Sequence, residues 1–433
     1  MTTLSQRKRR YPNREKKCRI ARDLTGAGWM DLTSGYPYWV VKNGLLSSFP
    51  ALREDVRCDV LVVGAGITGA LIAYRLARAG IDVCVIDRRE AGWGSTAAST
   101  ALLQYENDVE LQDMVALFGE SDAVLAYRSC EQAIPKLLRL ARQLGGIDAQ
   151  PMHSLYYASK RQHKSRLLKE AALRQLHGFQ LSVLDSDEVR KQFGFDAPVA
   201  LLTSVAAEID PYQMTHRLLA EVQRLGGHVF DRSAMLAFKA RRRGVVAHLD
   251  NDVTIRCGNL IIAAGYESQQ QLDQIVASNR SSYAFVTDPI PEGLGPLEDC
   301  LIWESARPYL YMRRTGDGRL LVGGEDDKID IPLKRDASVA RKAEKLRKRS
   351  SALFPNLSIT EAFAWAGTFA ETRDGLPFFG PHEQHGPHVH FAMAYGGNGI
   401  TYSLIGAELL RDRIQGRRHP CSTLFSFDRL KRA

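Results

Sequence analysis

The sequence predicts an α/β fold class, in which a parallel, helix-flanked unit is joined to a second domain on a mixed, largely antiparallel sheet. Three observations predict it. The run Cys58 to Asp87 alternates an apolar strand pattern, a glycine-rich turn, a helix pattern and a second apolar strand. Beyond Gly265 the pattern changes to short strands joined by turns, among them Tyr283 to Val286, Tyr309 to Arg313 and Leu320 to Val322. Near the end the first pattern returns: the apolar run Val389 to Met393 leads through Gly396-Gly397-Asn398-Gly399-Ile400-Thr401 into a helix reaching about Ile414.

Val60 to Val63 suits a buried parallel strand, and Gly64-Ala65-Gly66-Ile67-Thr68-Gly69 follows it with the spacing G-x-G-x-x-G. Leu71, Ile72, Tyr74, Leu76 and Ala77 continue a helix to Gly80, and Val83 to Ile86 form a strand that closes on Asp87. Each part has a physical task. Gly64 permits the tight turn, Gly66 lets the backbone approach a pyrophosphate, and Gly69 allows close helix packing, while the helix N-terminus offers unpaired N–H groups to phosphate charge. Asp87, 23 residues after Gly64, is placed to accept hydrogen bonds from ribose hydroxyls. The unit is therefore Rossmann-like and binds a dinucleotide.

At 433 residues and 45% hydrophobic content, the chain can build one large or two ordinary domains. Its seven cysteines, at positions 18, 58, 84, 130, 257, 300 and 421, form no C-x-x-C pair and no metal-ligand spacing, so they read as reduced thiols and no metal is expected. Much of the net charge of +9 lies before Asp23, where nine Lys and Arg residues oppose only Glu15. A solvated basic arm is the simpler reading of that stretch, and an acidic partner or nucleic acid the other. No signal-peptide core follows it and no run approaches the ~18 apolar residues of a membrane span, so the expected location is cytoplasmic, with no transmembrane segment.

Residues 24–57 carry Trp29, Tyr36, Tyr38 and Trp39 without periodicity and read as an extended lead-in anchored by its aromatics. After Asp87, the segment Arg88 to Thr100 is rich in small residues, which suits either a flat ligand lying on its backbone or close helix–sheet packing. From Asp108 to Leu144 the pattern is helical, with Pro135 expected to divide it. Ser154 to Ala158 reads as a strand and Lys160 to Leu176 as an exposed helix without chemistry. Asp210-Pro211 opens a helix that Gly226-Gly227 stops, and His228 to Phe230, Val245 to Leu249 and Val253 to Arg256 read as strands. Leu260 to Gly265 reads as a buried strand whose end, at Ala264 and Gly265, faces the ligand crevice. A basic helix, capped by Asp336 and running to Leu353, reads as a solvated face.

The opening fingerprint, Gly94-Ser95-Thr96, Ile262-Ala263-Ala264-Gly265, Asp374-Gly375-Leu376-Pro377 and the terminal Gly396 to Thr401, in this order, resemble the D-amino-acid oxidase-like FAD-dependent oxidoreductases. Within that family the chain is similar to the glycine/sarcosine oxidase and gamma-glutamylputrescine oxidoreductase branch. The resemblance implies a Rossmann-like FAD-binding domain assembled from residues 56–150, 199–268 and 365–420, and a substrate domain from 151–198 and 269–364, with 1–55 as arm and lead-in. It implies that Gly64, Gly66, Ile67, Thr68 and Gly69 hold the pyrophosphate, that Asp87 holds the ribose, and that Arg88 flanks the adenine. Gly94, Ser95 and Thr96 would meet the diphosphate or ribityl chain. Ala264 and Gly265 would lie beside the cofactor, and Gly397, Asn398, Gly399, Ile400 and Thr401 would open a helix aimed at the flavin pyrimidine edge.

The implied reaction oxidises the C–N bond of an amine or N-substituted amino acid by hydride transfer to flavin N5, with oxygen or another acceptor taking the electrons. Amino-acid-oxidising relatives commonly carry an Arg in a Trp-Ala-Gly-Leu-Arg-Pro type segment, where this chain has Phe369. Arg307, Arg313 and Arg373 are alternative clamps, with Tyr309 and Tyr311 closing the pocket, and each is weighed against a structural role. Residues 368–375 contain no Cys and 94–101 no His, so the FAD is expected to be non-covalent. The rival functions on this fold are a hydroxy-acid or polyol-phosphate dehydrogenase, a tRNA-modifying flavoprotein oxidase, and a non-catalytic FAD-binding subunit.

Overall fold

Val60, Leu61 and Val62 are all fully buried, as a strand covered on both faces must be, and they form the centre of the first of two sheets. The computed structural model describes residues 31–328 and 331–431. The basic arm, with Cys18, and Trp29 lie outside the described residues. The strand Val56–Val63 runs parallel to Thr254–Ile262 on one side and to Val83–Ile86 on the other. His228–Phe230 closes that edge; Val389–Met393 and Phe378–Pro381 extend the opposite one, and Gly244–Leu249 and Met235–Arg241 add an antiparallel hairpin. The helices Ile67–Ala77, Pro211–Arg224 and Gly399–Ile414 pack with the sheet into one apolar core.

The second sheet has the order Glu361–Thr372, Ala277–Thr287, Leu320–Asp327, Leu310–Arg314, Cys300–Glu304, Ala149–Tyr157, Val199–Ile209 and Leu102–Gln104, with Ser182–Asp185 also on Val199–Ile209. Its one parallel contact joins Cys300–Glu304 to Ala149–Tyr157. The helix Val339–Leu353 covers one face through Ala343 and Leu346, against Phe285, Met312 and Val322. Sheet membership departs from the predicted boundaries. Val199–Ile209 and Glu361–Thr372, read from sequence as starting parts of the cofactor domain, both hydrogen-bond into this second sheet.

Several local expectations are corrected. The helical stretch divides at Gly119, with φ +81°, into Leu111–Phe118 and Glu120–Leu144. Pro135 sits inside the unbroken second helix, where the burial of Ile134, Leu137 and Leu140 offsets the lost backbone bond. Val253 to Arg256 and Leu260 to Ile262 belong to one strand, Thr254–Ile262. The basic helix is two, Pro332–Ala337 and Val339–Leu353, and Asp336 lies within the first, paired with Arg335 rather than capping. The lead-in contains a helix, Tyr38–Asn43, and its buried Trp39 donates to the Ser99 carbonyl at 2.6 Å.

Candidate active site

At the end of Val56–Val63 the chain turns at Gly64, with φ +113°, and a β-carbon there would fall 2.3 Å from the Ala263 carbonyl oxygen. Gly69 is tighter still: its β-carbon would lie 1.8 Å from the Gly64 oxygen, so only glycine lets this helix start so close to the strand. Gly66 faces Thr96, whose Oγ1 would be 3.0 Å from an added β-carbon and accepts the Ile67 N–H at 3.0 Å. Thr96 thus anchors the first helical turn, and the neighbouring Ser95 Oγ is buried without a hydrogen-bond partner. Thr68 Oγ1 lies 2.8 Å from Ser403 Oγ, tying this helix to Gly399–Ile414.

Asp87 stands at the tip of Val83–Ile86. Its Oδ2 accepts the Ala65 N–H at 2.7 Å and its Oδ1 the Arg89 N–H at 2.8 Å, which fixes the carboxylate beside the glycine turn. Burial raises its pKa, and the two amides oppose that rise. Arg88 is engaged with the Glu267 carboxylate, and Arg89 Nη1 reaches the same group at 3.1 Å. Glu267 belongs to the turn that follows Ala264 and Gly265. The two strand ends are thereby clamped together by an ion pair that no motif announced.

The second glycine segment is held from across the molecule. The Gly397 N–H donates to Asp108 Oδ2 at 2.6 Å, and Asn398 Nδ2 donates to the Glu106 carbonyl at 2.8 Å and to Asn107 Oδ1 at 3.1 Å. Asn398 therefore does not cap the helix Gly399–Ile414 with its side chain, while Ile400 and Thr401 are buried in its first turn. Behind this contact lies a buried charge network. Arg174 Nε meets Glu170 Oε1 at 2.7 Å and its Nη1 meets Glu106 at 3.5 Å, and the Glu170 oxygens accept the Leu111 and Gln112 N–H groups. The helix from Lys164 to Leu176, read as exposed and without chemistry, supplies this anchor.

The substrate-pocket candidates divide. Tyr311 lies opposite Gly323, where a β-carbon would sit 2.3 Å from its ring. The missing side chain lets the ring cross the neighbouring strand, bringing Tyr311 Oη to 3.4 Å from Ser282 Oγ. Burial first and Asp326 second push Tyr311 up to about 12. Burial and Asp108 likewise raise Tyr309, whose ring carries the Arg307 guanidinium at 3.8 Å. Arg307 Nη2 also donates to the Asp108 carbonyl at 2.7 Å. Trp303 meets Tyr309 edge-on and stacks on Tyr156 at 3.8 Å, extending the aromatic wall.

The other candidates are used elsewhere or stand apart. Arg313 is buried, donating to the Thr100 carbonyl at 2.8 Å and pairing with Glu208 at 3.4 Å. Arg373 is exposed on the turn after Glu361–Thr372. Phe369 lies opposite Arg280, which is paired with Glu371 at 2.8 Å. Sequence reasoning missed Asp108, Ser282 and Asp326. Their available signal was weak: Asp108 reads as a helix start, and Asp326 is one of three consecutive acids after Gly323-Gly324.

The comparisons with known proteins agree with this architecture. The chain is 24% identical over 411 residues to YhfW of Bacillus subtilis (strain 168), a protein named for a Rieske 2Fe-2S iron-sulfur centre, covering 90% of this chain and 74% of that one. It is 25% identical over 398 residues to gamma-glutamylputrescine oxidoreductase of Escherichia coli (strain K12), covering 88% of each. The crystal structure of glycine oxidase from Geobacillus kaustophilus superposes with a TM-score of 0.72 at 17% identity, over 86% of this chain and 98% of that one, and so shares the fold. The family described as DAO, FAD dependent oxidoreductase, matches residues 59–413. With the glycine turn, the acid-tipped second strand and the two-sheet architecture in place, this chain belongs to the DAO family of FAD-dependent oxidoreductase enzymes.

Proposed function

We propose that the chain oxidises the C–N bond of an amine or N-substituted amino acid with bound FAD as its electron acceptor. The observation that carries this reading is the set of side chains gathered beside Asp108 and Tyr311. Tyr309, Tyr311 and Trp303 supply aromatic surface, and Arg307 beside them is engaged with the Tyr309 ring and the Asp108 carbonyl. Such side chains can orient an amine and exclude water, and they offer poor clamping for the dianionic phosphate of a polyol phosphate. Relatives of this chain are named as a glycine oxidase and a gamma-glutamylputrescine oxidoreductase, which supports a nitrogen-containing substrate.

The fit to FAD rests on the buried, unpartnered Ser95 Oγ and on the Gly66 position, where a side chain would fill the approach to Thr96. Gly64, Gly66, Ile67, Thr68 and Gly69 would hold the pyrophosphate with Gly94, Ser95 and Thr96. Asp87 would hold the ribose; Arg88, locked by Glu267, would border the adenine beside Ala264 and Gly265. The helix opening at Gly397 to Thr401 would present its positive end to the ring, set in place by Asp108 and Asn107. Bound FAD supplies the two-electron acceptor for the hydride leaving the carbon next to nitrogen. The protein binds it without a covalent bond, and denaturation should release all of it.

Anaerobic titration of the FAD-loaded protein with a panel of amines, amino acids, hydroxy acids and polyol phosphates tests the reading. Amines or N-substituted amino acids should abolish the oxidised-flavin absorbance. Reduction by hydroxy acids or polyol phosphates alone would replace it with the rival function.

A further inference from the structure

Resting on that reading, we infer that the pocket takes a positively charged substrate, an alkylammonium with no carboxylate beside the reacting carbon, and that Asp326 is the residue that selects it. The argument starts from three consecutive acids, Glu325-Asp326-Asp327, at the end of the strand Leu320–Asp327. Gly324 at φ +132° and Glu325 at φ +55° break the strand's regular alternation there. Glu325 is turned to the basic helix Val339–Leu353, where Lys345 meets it at 2.7 Å and Arg349 at 2.8 Å. Asp327 accepts the Tyr283 hydroxyl at 3.0 Å and pairs with Lys342 at 3.3 Å. The same helix therefore neutralises the outer two acids.

The middle acid is left among Ser282, Tyr311 and Asp108. Among the described residues, Asp326 Oδ1 is shielded from solvent and meets no hydrogen-bond donor. Its surroundings are Ser282, Tyr311, Asp108, Glu371 and Arg307, and that arginine is already stacked on Tyr309 and bonded to the Asp108 carbonyl. A shielded carboxylate without a bonded cation is costly, and a ligand cation is the group that offsets that cost. Burial, reinforced by Asp108, pushes Asp326 up to about 6, which still leaves it ionised at neutral pH.

The place suits a substrate subsite. Asp108, on one side of Asp326, holds the Gly397 turn, and Tyr311, on the other, lies beside Thr100 of the small-residue segment. Both are segments that border the proposed flavin. The faces of Tyr309 and Tyr311 add the aromatic surface on which an ammonium group is favourable. A substrate carboxylate would instead meet two carboxylates, Asp108 and Asp326, with the local guanidinium groups engaged, and would be repelled. The absence of an arginine at Phe369 and the presence of Asp326 thus act in the same direction.

The test uses two alkyl probes of matched length on the FAD-loaded full chain, n-butylamine and n-butyrate, measured by calorimetry at about pH 8, where the amine is a cation. Butylammonium should bind at least about tenfold more tightly than butyrate. Asp326→Asn should reduce that preference to within about threefold with flavin retained, and Asp326→Glu should restore a preference for the cation. Failure of butylammonium to bind, equal binding of the two probes, or an unchanged preference in Asp326→Asn would overturn the inference. Should Asp326→Asn fail to retain flavin, the two probes on the unaltered protein still decide. Flavin bleaching separates this from the reaction itself. Selective butylammonium binding with no bleaching by any amine keeps the cation site and removes the amine-oxidising reading; bleaching by sarcosine without cation preference does the reverse.

Discussion

The two ends of the proposed cofactor site are built by opposite means. The phosphate end is almost all backbone from one continuous stretch, where Gly64, Gly66 and Gly69 are dictated by contacts of 1.8 to 3.0 Å that a β-carbon would make. The chamber end is almost all side chain, gathered from four strands and a distant loop. Arg307 reaches Asp108 across 199 positions, and Gly397 reaches it across 289. Local sterics exclude a side chain at Gly64 and Gly69 and crowd one at Gly66, whereas side-chain choice at the second end can change substrate while the fold stays intact. That division of labour explains how a chain only 17% identical to a glycine oxidase of known structure can share its architecture while its side chains around Asp108 differ.

Mutations should break the two ends in different ways. The largest effect is expected for Gly66→Val, which fills the approach to Thr96 and should weaken FAD retention by about a hundredfold or more. Flavin absorbance per chain after desalting measures it, and an unchanged flavin content would remove the phosphate-end assignment. Asp326→Asn should spare flavin content and raise the KM for an alkylamine by at least about tenfold. Its pH dependence sharpens the comparison. Asp326 is held up at about 6 by burial and by Asp108 and Glu371, against Ser282 and Arg307. Lowering the pH through about 6 protonates it, so amine affinity should fall on the acid side in the unaltered protein and stay flat there in Asp326→Asn. The sign for stability is the reverse. A carboxyl raised from 3.8 is more easily protonated folded than unfolded, so its unfavourable contribution to the empty protein fades as pH falls from about 6 toward 4.

Two smaller effects test how independent the ends are. Asp87→Ala should raise the dissociation constant for FAD by about tenfold while leaving the circular dichroism spectrum unchanged, because two amides lose their acceptor and the ribose loses its own. Gly323→Ala should push the Tyr311 ring off Ser282 and slow flavin reduction by about fivefold with FAD retained. Loss of FAD in Gly323→Ala would show that the chamber and the phosphate cradle are coupled after all.

What was legible in the sequence follows the same line. The strand–turn–helix–strand at Cys58 to Asp87, the terminal glycine segment and the change of character after Gly265 could be read because each is a local pattern with a steric cause. The partners of Arg313, Glu208 and the Thr100 carbonyl, could not: the sequence leaves Arg313 as a candidate clamp weighed against a structural role, and the fold decides for the structural one. Arg174 and Glu170 read as an exposed face for the same reason: four-residue helical spacing gives no sign of which side a distant strand will cover. Pro135 shows the converse, a strong local signal to break a helix that tertiary burial of its neighbours overrode.

The sequence by itself determined the tight glycine turn and the acid-tipped second strand of the first crossover, since glycine at fixed spacing is a demand of backbone geometry that no distant contact can supply. Tertiary structure alone decided which of many charged side chains are spent and which remain. Glu325 and Asp327 are cancelled by a helix that begins a dozen residues later, and Asp326 between them is not. Charge is visible in a sequence, but pairing is a property of space.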